Sequence, residues 1–365
     1  MPNRRDFFKT MASATAGAFV LDRGLAGSRI QAAQVPAGTR RQVSIDGRRV
    51  KVIDVHAHCA PAEVEAVVKG TPFASNGRPT GGRILGPESI RRIDQQGIDV
   101  QALGINGFWW YTVDRDLAAR IVRAQNEGLA RWCAQHPDRF VGLASVALQY
   151  PDLAAQQLEE GVKRLGLRGV GIGGHVNNES LSLPKYDPFW AKAAELGSLV
   201  FMHPVGGAEN IVKEDAFEDV RGDLVNIMGN PLETAYFLSR LIFDGTLDKF
   251  PGLRICCAHG GGYLPSYLGR SDVACKVRPR ARCANERTPS EYFKRELLVD
   301  TMVFSDEGLR HLVAEMGVSQ IVYGTDNPLD WPPTLDLVLN ASFLSSAEKE
   351  AILGGNLMKL LRIAG

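Results

Sequence analysis

From residue 50 onward, short apolar runs alternate with longer stretches in which apolar residues recur at helical spacing. Eight runs stand out: 50–55 (VKVIDV), 100–105 (VQALGI), 140–146 (FVGLASV), 169–172 (GVGI), 199–202 (LVFM), 253–258 (LRICCA), 297–301 (LLVDT) and 321–324 (IVYG). Each is short and rich in β-branched or apolar residues, as strands buried in a parallel sheet are. Between them, 114–136 places Leu117, Ile121, Ala124, Leu129 and Trp132 at helical spacing and stops at His136-Pro137. Segments 153–165, 188–196, 233–247, 306–316 and 347–361 repeat the helical pattern. Strands alternating with helices predict a parallel sheet. Eight of them favour a closed α/β barrel, (β/α)8 or TIM type, over an open doubly wound sheet. No G-x-G-x-x-G follows the first strand, so a dinucleotide fold lacks its phosphate-binding turn. Two segments are too long for plain connectors, 204–231 after strand five and 260–294 after strand six. Barrels build their sites from such elaborated loops at the strand C-termini.

The pattern ahead of the first strand is different. Asn3-Arg4-Arg5-Asp6-Phe7-Phe8-Lys9 precedes a weakly apolar stretch, Met11 to Leu21, and small residues lead to Ala32-Ala33. A basic start, a short apolar region and small residues are the parts of an export signal, and paired arginines followed by Phe and Lys resemble the twin-arginine type. Residues 1–33 are therefore expected to be a signal, residues 34–365 a single barrel domain, and the location the periplasm. The apolar stretch is well short of the ~20 residues that span a bilayer. Composition adds limits. At 45% apolar and 23% charged, the 365 residues exclude a disordered chain, a collagen and a coiled coil. The net charge of +1 becomes −2 without residues 1–33, which hold five basic and two acidic residues. Nothing in that balance calls for nucleic acid. Six cysteines in a chain this long do not make a disulfide scaffold. Cys256 and Cys257 read as buried thiols, and Cys59 as a weak candidate to support a ligand from behind. Cys275 and Cys283 lie eight apart in a polar loop, a spacing that allows a bridge in an oxidising compartment.

Four of the seven histidines sit at strand ends. Strand one ends in His56-Ala57-His58, whose i and i+2 side chains face one side. Strand five ends in His203, strand six in His259 before three glycines, and strand eight in Asp326 within Gly324-Thr325-Asp326-Asn327-Pro328. Imidazole and carboxylate at the mouth of one barrel suit Zn²⁺ and related divalent ions with an open position. Burying them without a metal would require a hydrogen-bond partner for each. Asp54 and Asp300, inside strands, read as carboxylates that orient a histidine or a backbone group rather than as ligands. His136 and His311 read as solvated helix residues, and His175 as a loop residue.

Several stretches together resemble the amidohydrolase superfamily, on the branch of aminocarboxymuconate-semialdehyde decarboxylase and γ-resorcylate decarboxylase. They are VIDVHAH (52–58), GVGIGGHVN (169–177), FMHP (201–204), GNPLETAYFLSRLIFDG (229–245), KFPGLRICCAHGGGYLPSYLGR (249–270) and YGTDNP (323–328). The resemblance implies one divalent metal, zinc in the first place and manganese as the alternative, held by His56, His58, His203 and Asp326. It implies His259 beside the metal as acid, base or electrostatic stabiliser, with Asp326 sharing the proton handling. Strand four offers no Lys for the bridge of two-metal members, which argues for a single ion. The resemblance also matches Arg270 to an arginine that binds a substrate carboxylate, often across the interface of a homodimer. The aromatic run Phe108-Trp109-Trp110-Tyr111 at the mouth of strand two reads either as a pocket wall, through Trp109 and Trp110, or as packing under a loop. The function expected is a metal-dependent lyase that removes CO₂ from a small aromatic or unsaturated carboxylic acid. A hydrolase of a lactone, ester or amide is the alternative, then a hydratase. Retention of His259 and Asp326 argues against a binding protein without turnover.

Overall fold

The computed structural model describes residues 40–75, 81–106, 109–206, 222–329 and 331–364. The expected signal, Phe108 and much of the segment after strand five lie outside these residues. Eight parallel strands form one sheet in chain order: β1 Ile53–His58, β2 Val100–Gly104, β3 Phe140–Ala144, β4 Gly169–Ile172, β5 Leu199–Met202, β6 Arg254–Cys257, β7 Leu297–Asp300 and β8 Ile321–Val322. The sheet closes on itself. Ala57 bridges Asn327 in parallel, Val55 N donates to Tyr323 O at 3.0 Å, and His58 N donates to Asn327 O at 2.6 Å. The expected barrel is the fold.

Helices cross between successive strands: α1 Pro87–Gln96, α2 Arg115–Gln135, α3 Pro151–Lys163, α4 Asp187–Leu196, α5 Asn230–Phe243, α6 Leu268–Val277, α7 Pro289–Arg295 and α8 Asp306–Met316. Local chemistry sets their ends. The Asp114 carboxylate caps α2 by accepting from Leu117 N at 2.9 Å. Gly97 and Gly197, with φ of 76° and 55°, end α1 and α4 in the left-handed conformation that glycine adopts without strain. The segment after strand six is more helical than a long loop suggests. It holds α6 and α7, the latter started by a capping box of Thr288 and Glu291. A disulfide joins Cys275 to Cys283 at the end of α6. The helix expected over 347–361 is continuous over 346–358, with a π-helical turn, Ala351–Gly355, between Ser346–Glu350 and Asn356–Met358. A glycine is needed on that turn: a Cβ on Gly354 would stand 2.2 Å from the Lys51 carbonyl oxygen.

Alternate strand residues divide the core in two. Ile53, Val100, Ala102, Val141, Leu143, Leu199, Phe201, Cys256, Leu298 and Val322 fill the lumen, with Leu357 and Leu361 packed against them. The other face carries Leu103, Phe140, Val170, Val200, Ile255, Val299 and Ile321 and packs on the helices. This period-two division is what points His203, two residues beyond Phe201, into the mouth. No helix among the described residues is long and apolar enough to cross a membrane.

Candidate metal centre

β1 begins later than its apolar run suggests and runs through both histidines, with a register irregularity between Asp54 and Ala57. Asp54 is the clamp there. It accepts from His56 N (3.0 Å), Thr325 N (3.1 Å), Thr325 Oγ1 (2.6 Å) and Gln101 Nε2 (2.8 Å), tying β1 to β2 and to the turn after β8. Burial raises its pKa to about 6 against those hydrogen bonds. Asp54 is thus a backbone clamp, as read from the sequence, and so is Asp300. Asp300 accepts from His56 Nδ1 at 2.7 Å and from the main-chain N–H groups of His259 (3.1 Å), Gly260 (2.9 Å) and Met302 (3.1 Å).

Three imidazoles are oriented in the same way. His56 Nδ1 faces the Asp300 carboxylate, His58 Nδ1 faces Asn106 O at 3.3 Å, and His203 Nδ1 faces Pro204 O at 2.8 Å. Each partner only accepts, so each Nδ1 carries a hydrogen and each Nε2 is the atom turned into the mouth. Those Nε2 atoms converge on Asp326 Oδ1, at 2.9 Å from His56, 2.6 Å from His58 and 4.0 Å from His203. His56, His203, His259 and Asp326 each bring a ligating atom within 4.8 Å of the others. His259 closes the cluster, its ring centroid 5.4 Å from that of His56 and 5.3 Å from that of His203. Its Nδ1 is buried with no hydrogen-bond partner among the described residues. His259 and Asp326 both hold φ of 58°, backbone strain of the kind found at working sites.

The electrostatics follow from packing these groups together in a buried mouth. Burial alone would lower His56, but the charges of Asp326 and Asp300 outweigh it and push it up to about 10. Burial and then the surrounding histidines hold His203 well below its ordinary value. The same causes bring His259 down to about 4. Burial pulls His58 down as well. Burial opposes ionisation of Asp326, and His56 and His58 overcome it, so the carboxylate stays charged. An ion entering here would displace the proton that Asp326 and Asp300 favour on His56; imidazole nitrogens and one carboxylate gathered in one mouth are a donor set for a single divalent ion, and the residues present fit one.

The other candidates divide. Trp109 is buried beside β4, its ring 3.6 Å from where a Cβ on Gly171 would stand, and it stacks on Tyr111. Trp110 packs away from the mouth, with Phe73 and the cluster around Val64, Val68 and Ile121, and holds a φ of 55°. Arg270 is exposed on α6, and a single chain leaves it on the surface. Cys59 is a core thiol, and Cys256 and Cys257 are buried as expected. His175 is in a short hairpin, not a ligand position; it is buried, with Nε2 3.8 Å from Glu233 Oε2. His136 and His311 are half-buried rather than fully solvated, against Trp132 and Ser266.

Three residues of this region carried no signal in the sequence. Half-buried Arg83 lies within electrostatic reach of Asp326 and His58; burial lowers its pKa and Asp326 opposes that. Buried Glu233 accepts from Gly174 N at 3.1 Å and Val205 N at 2.7 Å, fastening the ends of β4 and β5. Asn106 holds His58 through its carbonyl. None belongs to a spacing pattern, and only the closed barrel brings them together.

Residues 53–363 match the amidohydrolase family model. The chain is 31% identical over 280 residues to 2-amino-3-carboxymuconate-6-semialdehyde decarboxylase of Dictyostelium discoideum, covering 74% of this chain and 75% of that protein. The crystal structure of 2,6-dihydroxybenzoate decarboxylase complexed with 2,6-dihydroxybenzoate superposes with a TM-score of 0.74 at 26% identity, over 87% of this chain and all of that one. Dihydroxybenzoic acid decarboxylase from Polaromonas, crystallised with manganese, shares the fold at a TM-score of 0.71 and 24% identity, over 86% of this chain and 97% of that one. Family match, fold and metal-type donor set agree: this chain belongs to the amidohydrolase family.

Proposed function

We propose that this amidohydrolase is a one-metal decarboxylase of a small aromatic or unsaturated carboxylic acid. The observation that carries the reading is the convergence of three oriented Nε2 atoms on Asp326 with His259 beside them; the named activities of the relatives favour CO₂ release over hydrolysis. His56, His58, His203 and Asp326 would hold the ion, with Zn²⁺ preferred for its affinity for imidazole and Mn²⁺ the competitor. Bound there, the ion would supply Lewis-acid stabilisation to substrate oxygens, which take up charge as CO₂ departs. The chain's own residues do the rest. Trp109 walls the mouth on the β4 side. Arg83 offers the substrate carboxylate a cation within the chain. His259 and Asp326 handle the proton. It is added to the carbon that bears the carboxylate, the bond from that carbon to the carboxylate breaks, its electron pair returns to the substrate, and CO₂ leaves.

Arg270 fits this scheme in a homodimer. Exposed apolar side chains gather around it: Ile227, Met228, Leu232 and Tyr236 before and on α5, and Tyr263, Tyr267, Val273 and Val277 around α6. Tyr263 Oη donates to Ile227 O at 3.1 Å, so the two groups adjoin. An apolar surface of this kind suits a second copy, which would carry Arg270 to its partner's mouth. Export by a twin-arginine signal to the periplasm is part of the same reading, supported by the Cys275–Cys283 disulfide, a bond that persists in oxidising compartments. The test is a panel of hydroxybenzoates, muconate-type acids and lactones with the purified, metal-analysed protein. CO₂ release from an acid supports the proposal. Lactone opening without CO₂ would replace it with hydrolysis.

A further inference from the structure

His203 takes its orientation from a peptide, not from a side chain. Its ring Nδ1 faces the Pro204 carbonyl at 2.8 Å. That carbonyl and the Val205 N–H belong to one peptide unit, which is planar and trans. The two groups point in opposite directions within one plane, so whatever holds the N–H also aims the carbonyl. Glu233 holds it: Oε1 accepts from Val205 N at 2.7 Å. The main chain just before is fixed as well, because His203 N donates to Ile172 O at 2.9 Å. The backbone of His203 is thus pinned to β4 and the next peptide plane to α5. The tilt of the imidazole is then decided by a carboxylate that lies one peptide away.

Glu233 is placed for this task. It is 1% exposed and sits in the first turn of α5, where the helix N-terminus favours a carboxylate. The oxygen that takes Val205 N takes Gly174 N as well, at 3.1 Å. Glycine is needed for that approach: a Cβ on Gly174 would stand 2.6 Å from Glu233 Oε1 and 2.5 Å from Met202 Cε. His175 faces the other oxygen. Its Nδ1 accepts from Asn178 N at 3.3 Å, which leaves the hydrogen on Nε2, 3.8 Å from Glu233 Oε2. A carboxylate is a stronger acceptor than a neutral group, and hydrogen bonds in series polarise one another. The bond from Val205 N–H to Glu233 therefore makes the Pro204 oxygen a better acceptor for His203 Nδ1–H.

We infer that Glu233 is a positioning residue for the metal ligand His203, acting through the Pro204–Val205 peptide. His56 meets its orienting carboxylate, Asp300, directly; His203 meets its own across one peptide. The inference rests on the reading of His203 as a ligand and is independent of which reaction the ion serves.

The experiment loads the full chain with Co²⁺. Affinity is read by competition with a chelator, and ligand geometry by the visible absorption of the bound ion. Glu233→Ala weakens Co²⁺ binding about tenfold to a hundredfold and shifts the absorption. Glu233→Asp withdraws the carboxylate from Val205 N and shows the same changes in smaller measure, which keeps the test decisive if the alanine variant does not fold. Glu233→Gln, whose amide oxygen still accepts from both N–H groups, recovers most of the affinity. Leu238→Ala truncates a buried residue of the same helix and leaves both readouts as in the wild type. Wild-type affinity and absorption in Glu233→Ala or Glu233→Asp overturn the inference. So does a Leu238→Ala protein that loses as much as Glu233→Ala, or a Glu233→Gln protein no better than it. His203→Ala separates the two levels. If it keeps wild-type affinity and absorption, the ligand reading itself falls; if it loses both while the Glu233 variants do not, only the inference falls.

Discussion

The lumen of the barrel holds two kinds of buried layer. Near the N-terminal ends of the strands, Ile53, Val100, Leu199 and Leu298 pack against Leu357 and Leu361. Near the C-terminal ends, His56, His203, His259, Asp300 and Asp326 occupy the same cylinder. Burial does not separate the layers: Ile53 and Leu199 are 0% exposed, and so are His56 and Asp300. What differs is how each layer is held. The lower layer is stabilised by transfer of apolar surface from water, which has no direction and tolerates changes that conserve volume. The upper layer costs free energy unless each polar atom meets a partner, so the rings of His56, His58 and His203 are each tied at Nδ1 to a particular carbonyl or carboxylate. The floor specifies that a barrel forms; the mouth specifies where three nitrogens point.

The comparison can be broken most sharply at Asp326. Asp326→Asn removes the carboxylate shared by three imidazoles, and turnover falls about a thousandfold or more; single-turnover assays with metal analysis check it, and a protein that keeps both metal and rate would undo the site. Next is His259→Ala, which retains the metal yet loses about a hundredfold to ten-thousandfold in kcat; full activity there removes His259 from the chemistry. The floor behaves in the opposite way. Leu199→Ala lowers stability by about 2–5 kcal/mol in denaturant titrations and leaves metal content per folded molecule intact. Asp300→Asn sits between the two, weakening metal affinity about tenfold to a hundredfold, read by competition with a chelator, with a smaller loss of stability. The smallest effect lies outside the lumen. Burial opposes ionisation of Asp248, but Tyr292, Glu286 N and Arg287 hold its pKa below the ordinary value. A pKa lower in the folded state adds stability that is present above the unfolded value and lost as pH falls through the folded one. Asp248→Asn therefore flattens the acid limb of the stability profile, measured as midpoint against pH between about 5 and 3.

Legibility in the sequence followed the same division. Apolar runs on lumen and helix faces announce strands directly, and β4 and β5 fall where 169–172 and 199–202 place them. β1 did not, because its ligands are polar and look like the end of a strand. Only main-chain bonds to Tyr323 and Asn327, supplied from the far end of the chain, extend it through His58. The ligand types were legible because His and Asp at strand ends are hard to explain otherwise. Arg83 and Asn106 were not, since their roles come from neighbours 243 and 48 residues away, at Asp326 and His58. Trp109 and Trp110 show the limit of a motif: two adjacent indoles pack in different clusters, one beside β4 and one with Phe73.

Asp300 ties two working parts of the mouth together. One of its oxygens holds both His56 Nδ1 and the His259 N–H, and the other holds Gly260 N. The ring that would bind the ion and the turn that carries the proton-handling ring are thus fastened to one pivot. Ligand and proton-handling ring therefore share one carboxylate, and a substitution at Asp300 acts on both at once.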